Sequence, residues 1–291
     1  MNRPPAVSAA RPAPHPLIRF AKTPKGCVTI ALMALTLAAG SLRPQGRAGI
    51  VNAAAAVAAA LAVDGGVSVL MKRRKLVSDG GVITGLIVAD VLSRATPFYL
   101  AALITAVALM SKHILKAGRK PLFNPAAFGL LFAIAVFSTG QSWWGSLALL
   151  PVWFVPVLFG AGLLVAARVN RLPQVIAFLG TYFGLLLAMA VLHLGLPYDT
   201  PGDALRTPFV NSALYLAFFM LTDPPTTPSP YGRQVLFGII AAGIGTVVFA
   251  LFGGLAYLLI GLLAGNAWKA LLSRARKPAA RSLPAAPARE A

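Results

Sequence analysis

Cysteine is nearly absent from this chain, and negative charge is scarce. One cysteine, Cys27, excludes an internal disulfide, a cysteine-built zinc site and a cysteine-held iron–sulfur cluster. The three histidines show no paired spacing on one helix, so no metal site is expected. Only seven acidic residues stand against 26 Lys and Arg, a net charge of +19. Charged residues of both signs make up 11% of the chain, where a soluble domain carries about 25%. The balance is apolar: 58% of the 291 residues are hydrophobic, in long runs such as 146–167 and 175–194. Each run can cross a hydrocarbon core of about 30 Å at about 1.5 Å per helical residue. The composition therefore describes an all-α integral membrane protein and excludes a soluble globule. Nucleic acid is excluded as a partner, because the basic residues sit in loops and tails between spans and no binding motif is present.

Ten apolar runs follow one another, at 27–42, 49–71, 80–93, 96–112, 123–138, 146–167, 173–195, 208–222, 234–252 and 254–272. If they alternate in direction, every Lys and Arg except Arg43, Arg47, Arg94 and Arg206 falls on one side. Basic residues collect in the cytoplasm, so both termini are expected there, in a multi-pass protein of the cell's inner membrane. The acidic loop with Asp199 and Asp203 falls on the opposite side. The expected organisation is a basic Pro-rich tail at 1–26, five helices in 27–138, five in 139–272, and a second basic tail at 273–291. Five crossings per half give the halves opposite orientation, as two inverted repeats require.

The third and eighth runs carry the most information. Their apolar cores, 81–92 and 211–221, are short for a span, and each leads into an acidic residue and a proline-containing turn. Six residues separate Asp90 from Pro97, and six separate Asp223 from Pro230. Matched short segments in two halves point to a working site. Asp90 and Asp223 then serve either an ion pathway or the capping of the turns that follow. Asp64, inside the second run, costs about 2.5–3.5 kcal/mol to insert, so it either relays an ion or holds a structural hydrogen bond. Phe123-Asn124-Pro125 opens the fifth run, with Asn124 as helix cap and Pro125 at the first helical position. Free N–H groups at that helix start can also hold a polar ligand. Trp143, Trp144 and Trp153 read as an interfacial aromatic belt, and His113 and His193 as interfacial histidines.

Three blocks together resemble one family: Asp79-Gly80-Gly81-Val82-Ile83-Thr84-Gly85-Leu86, Phe123-Asn124-Pro125-Ala126, and Phe218-Phe219-Met220-Leu221-Thr222-Asp223-Pro224. They are similar, in order, to segments of the NqrB/RnfD family of membrane electron-transport subunits. The resemblance runs from about residue 27 to residue 272 and implies a ten-helix inverted-repeat fold like that of urea transporters. It also implies flavin, as FMN or riboflavin, and partner redox subunits in a pump that moves ions. The family attaches FMN at a Ser/Thr-Gly-Ala-Thr motif. Here that stretch reads Ser138-Thr139-Gly140-Gln141, which leaves Thr139 without the attachment setting. The resemblance then places any flavin noncovalently, near Thr84, Asn124, Thr222 and Asp223, with Asp64, Asp90 and Asp223 along the ion pathway. No residue of the chain itself is expected to be catalytic. The expected function is that of a membrane subunit coupling flavin redox chemistry to ion movement. The alternative is a transporter or channel for a small solute or ion on the same scaffold, with no redox role.

Overall fold

The computed structural model describes residues 15–42, 46–72, 79–118, 120–192, 194 and 206–281. Arg3, Arg11, Arg43, Arg119, Arg289, the basic cluster at 73–75, His193, Asp199 and Asp203 lie outside them. The regular elements of the described residues are helices except for one small ribbon. A short α1 (Pro16–Ala21) leads into α2 (Pro24–Ser41), α3 (Gly46–Leu70), α4 (Asp79–Val91) and α5 (Phe98–Ile114). The ribbon of β1 (Lys116–Ala117) and β2 (Lys120–Pro121) precedes α6 (Pro125–Phe137). Then come α7 (Phe154–Arg168), α8 (Leu172–Val191), α9 (Thr207–Tyr215) with a π turn at Leu216–Met220, α10 (Tyr231–Phe252) and α11 (Ala256–Arg281).

Five helices, α2, α3, α8, α10 and α11, are long and apolar enough to cross a membrane. Five shorter apolar helices, α4, α5, α6, α7 and α9, accompany them. The distribution of side chains suits a lipid solvent. Leu70, Ile114, Val191 and Phe252 point outward, while Asn52, Asp64, Gln174, Gln234 and Asn266 are buried. In water that pattern would be reversed; in a bilayer, polar groups turn inward to find partners.

α3 packs on α4 and α5, and α8 packs on α10. The two sets meet where α2 contacts α7 and α6 contacts α11. The turns after the short helices share a backbone feature. Pro97 precedes α5 with φ −60° and ψ 141°, and Pro230 precedes α10 with φ −66° and ψ 139°. In each turn an amide side chain fixes the carbonyl before the proline: Asn52 Nδ2 donates to Thr96 O and Gln234 Nε2 to Ser229 O, both at 2.8 Å. Between α10 and α11 the chain reverses through Gly253 and Gly254, both at positive φ (64° and 67°), which glycine adopts without steric cost.

Three expectations change. The sixth apolar run does not become helical at residue 146. Trp143 and Leu147 take left-handed φ values of 47° and 60°, a 3₁₀ turn spans Trp144–Ser146, and Pro151 has no N–H to give. Helix begins only at Phe154. Trp143 and Trp144 are not in an interfacial belt either. Both are buried, Trp143 edge-on to Tyr215 and Trp144 donating Nε1–H to Ala89 O at 2.7 Å, while Trp153 is exposed. Finally, the basic segment expected from residue 273 continues α11 as far as Arg281.

Candidate functional site

The starts of α2, α4 and α6 converge on one end of the bundle. The ends of α3 and α5 and of the α9–π segment meet them there. Together they enclose a cavity of about 630 Å³. Its walls include Val28, Ile83, Ile87 and Phe219, and its polar lining includes Asp64, Thr84, Asn124, Thr222 and Asp223. All four residues singled out for a flavin therefore share one cavity with Asp64, although they come from both halves of the chain.

Asp64 sits near the end of α3, 4% exposed, and Lys112 on α5 donates Nζ–H to its Oδ1 at 2.8 Å. Oδ2 is buried without a hydrogen-bond partner. It lies against Gly81, where any Cβ would overlap it. Glycine at this position lets α4 approach the carboxylate.

Asn124 joins the two halves. Its Oδ1 accepts from Ala127 N at 3.1 Å, capping α6, and its Nδ2 donates to Met220 O at 3.1 Å in the π turn. Its backbone N–H donates to Asn266 Oδ1 on α11 at 2.8 Å, and Asn266 Nδ2 donates onward to Thr226 O. The π turn belongs to this arrangement: the extra residue shifts the carbonyl register at the end of the short helix, a distortion that recurs at functional sites. Thr84 and Thr222 return their hydroxyl hydrogens to Gly80 O and Phe218 O, so each presents only lone pairs to the cavity.

Asp223 caps the turn it begins. Oδ2 accepts from Thr226 Oγ1 at 2.8 Å, and the backbone carbonyl accepts from the N–H groups of Thr226 and Thr227. Burial raises its pKa above the usual carboxylate range, opposed by the Thr226 hydrogen bond and by nearby Lys269, Lys25 and Arg171. Lys269 donates to Pro225 O, which ties the same turn to α11.

Asp90 is elsewhere. It is fully buried at the opposite end of α4, where Tyr215 donates to Oδ2 at 2.7 Å and Thr36 Oγ1 lies 2.9 Å from Oδ1. A Cβ on Gly145 would overlap its carboxyl group. Asp90 does not cap the turn after α4; it bonds α2, α4 and α9 together. Thr139 follows the C-terminus of α6, about 20 Å from the cavity at about 1.5 Å per helical residue.

Several residues of the site carry no separate signal in the sequence. Lys25, Lys112, Lys116 and Lys120 line the cavity, yet in sequence they serve equally well as topology markers. Asn266 is not among the residues singled out in the sequence; its being a lone amide in an apolar run is the signal that could have found it. Among the described residues no group of three His, Cys, Asp or Glu is placed to hold a metal. The cavity offers binding chemistry: hydroxyl lone pairs, a buried carboxylate oxygen, cations and apolar walls. No family model matches the chain, and no curated protein matches its sequence.

Proposed function

We propose that the chain is the membrane subunit of an electron-transport complex of the NqrB/RnfD kind, and that it holds a flavin noncovalently in the cavity. The observation that carries this reading is the convergence of Asp64, Thr84, Asn124, Thr222 and Asp223 on one space of about 630 Å³. That volume falls within the roughly 300–1,000 Å³ typical of small-molecule pockets. The residues fit the group. An apolar planar body suits the walls of Ile83, Ile87 and Phe219. The hydroxyl oxygens of Thr84 and Thr222, whose hydrogens go to backbone carbonyls, are acceptors for a ring N–H or a ribityl hydroxyl. A bound flavin supplies one- and two-electron transfer to neighbouring redox subunits. The chain's own residues bind and orient it, and Asn124 holds the π turn that carries Thr222 and Asp223 to the cavity. Thr139 takes no part, since it stands at the other end of α6.

In this reading the ten apolar helices make ten crossings of the inner membrane, as two inverted repeats with both termini cytoplasmic. The matched turns at Pro97 and Pro230, with their amide-held carbonyls, support the repeat. The cavity then opens to the cytoplasm, where the basic residues gather.

The Asp64–Lys112 pair favours a second reading, because a partly buried charge pair beside a membrane cavity also suits a solute transporter. One purification separates the two. Protein extracted under mild conditions is expected to carry a flavin absorption band that is released on denaturation, because no covalent bond holds it. If no flavin co-purifies and added riboflavin does not bind, the redox reading fails. Solute flux into proteoliposomes without an electron donor, abolished by Asp64→Asn, would then establish the transporter.

A further inference from the structure

The charges at the cavity mouth are unbalanced, and the imbalance carries information about the ligand. Four lysines line the cavity, Lys25, Lys112, Lys116 and Lys120, against two carboxylates, Asp64 and Asp223. Lys112 is taken by Asp64. Lys269 and Arg171 stand close behind Asp223. Among the described residues lining the cavity, four lysines stand against two carboxylates, and Lys269 and Arg171 add positive charge beside one of them.

The backbone adds to this. α2, α4 and α6 all begin at the cavity, so the positive ends of three helix dipoles point into it. The ribbon has the same effect. Pairing Lys116 with Pro121 and Ala117 with Lys120 holds two exposed lysines on a short hairpin at the mouth. Lys25, on the first turn of α2, also lines the cavity. Like charges gathered around a cavity repel one another unless an anion joins them.

We infer that this mouth is a phosphate site: Lys25, Lys116 and Lys120 hold the phosphate monoester of a ligand whose apolar body lies against Ile83, Ile87 and Phe219. The inference rests on the cavity being the ligand site proposed above, and it adds the ligand's charge. A phosphate monoester can reach the lysines on a soluble ligand, and a phosphodiester can reach them on an anionic lipid headgroup. The polar lining of Asp64, Thr84 and Thr222 favours the soluble ligand, since an acyl chain offers those groups no donor.

The test uses the full chain in zwitterionic nanodiscs, with FMN, riboflavin and inorganic pyrophosphate as probes. FMN is expected to bind at least about tenfold more tightly than riboflavin, a ratio that charge-assisted contacts to one phosphate supply. In the double variant K116Q/K120Q, whose positions are exposed and outside the helices, the two affinities should come within about twofold. Pyrophosphate should compete with FMN in the parent protein. Equal affinities for FMN and riboflavin, unchanged by K116Q/K120Q, would overturn the inference while leaving the flavin reading intact. If neither flavin binds, that reading fails. A lysine-dependent rise in thermal midpoint with pyrophosphate would then still support the phosphate site, and no rise would overturn it too. Lysine-dependent retention of phosphatidylglycerol, with no response to pyrophosphate, would overturn it in favour of a lipid.

Discussion

Asn124→Ala is expected to lower the stability of the protein by about 2–4 kcal/mol and to abolish ligand binding in the cavity. Two losses add. The cap on α6 disappears, which costs about 1 kcal/mol. The buried Met220 carbonyl then keeps only the long 3.5 Å bond from Asp223 N–H, a penalty of about 1–3 kcal/mol for the lost donor. Met220 ends the π turn, so its release frees the segment that carries Thr222 and Asp223 into the cavity. Asn124→Ser separates the two losses. Serine still caps the helix but cannot reach Met220, so its cost is expected to be the carbonyl term alone. Thermal unfolding of the parent and both variants, with and without flavin, reads this directly. Equal midpoints for Asn124→Ala and the parent would remove Asn124 from the seam between the halves.

Much of this architecture can be read before any coordinates exist, for reasons that are local. Each of the ten apolar runs contains a helix, because glycine, proline and charged residues interrupt the hydrophobicity at the chain reversals. Asp64, Thr84, Asn124, Thr222 and Asp223 stand out as polar residues in or beside apolar runs, and all five meet in one cavity. The misreadings have tertiary causes. Trp143 and Trp144 have the composition of an interface. What buries them is a carbonyl, Ala89 O, and an aromatic partner, Tyr215, both distant in sequence. The same fold-back delays α7, since the 3₁₀ turn Trp144–Ser146 brings Gly145 against Asp90 instead of extending a helix. Tyr215 is invisible as a functional group, because a tyrosine in an apolar run reads as core. The lysines have the opposite problem: their sequence positions satisfy a topology rule completely and leave no residual signal for a ligand.

The seam between the two sets of helices is closed differently at its two ends. Near the cavity an amide, Asn124, bonds the π turn and α11. At the far end a carboxyl group, Asp90, bonds hydroxyls from α2 and α9. The first arrangement leaves room for a ligand. The second leaves none, because Gly145 and Trp144 fill the space around Asp90.

That difference decides what Asp90 does. Asp90→Ala is expected to cost about 2–4 kcal/mol, and Asp90→Asn less than about 1 kcal/mol. Alanine strands the Tyr215 hydroxyl, which is fully buried and has Asp90 as its hydrogen-bond acceptor, at about 1–3 kcal/mol, and a void adds to it. Thr36 is unaffected, because its single hydroxyl hydrogen can serve Leu32 O at 2.8 Å. Asparagine reproduces the arrangement. Its Oδ1 accepts from Tyr215, and its Nδ2 donates to Thr36 Oγ1, whose own hydrogen goes to Leu32 O. A residue in an ion pathway behaves otherwise: Asp90→Asn would leave stability unchanged yet stop ion movement. The geometry favours the structural lock, so Asp90→Asn should keep both stability and ion flux, and Asp90→Ala with Tyr215→Phe should show coupling of about 0.5–3 kcal/mol in a double-mutant cycle. Loss of flux in a stable Asp90→Asn protein would return Asp90 to the pathway and leave Tyr215 and Thr36 as the groups that position it.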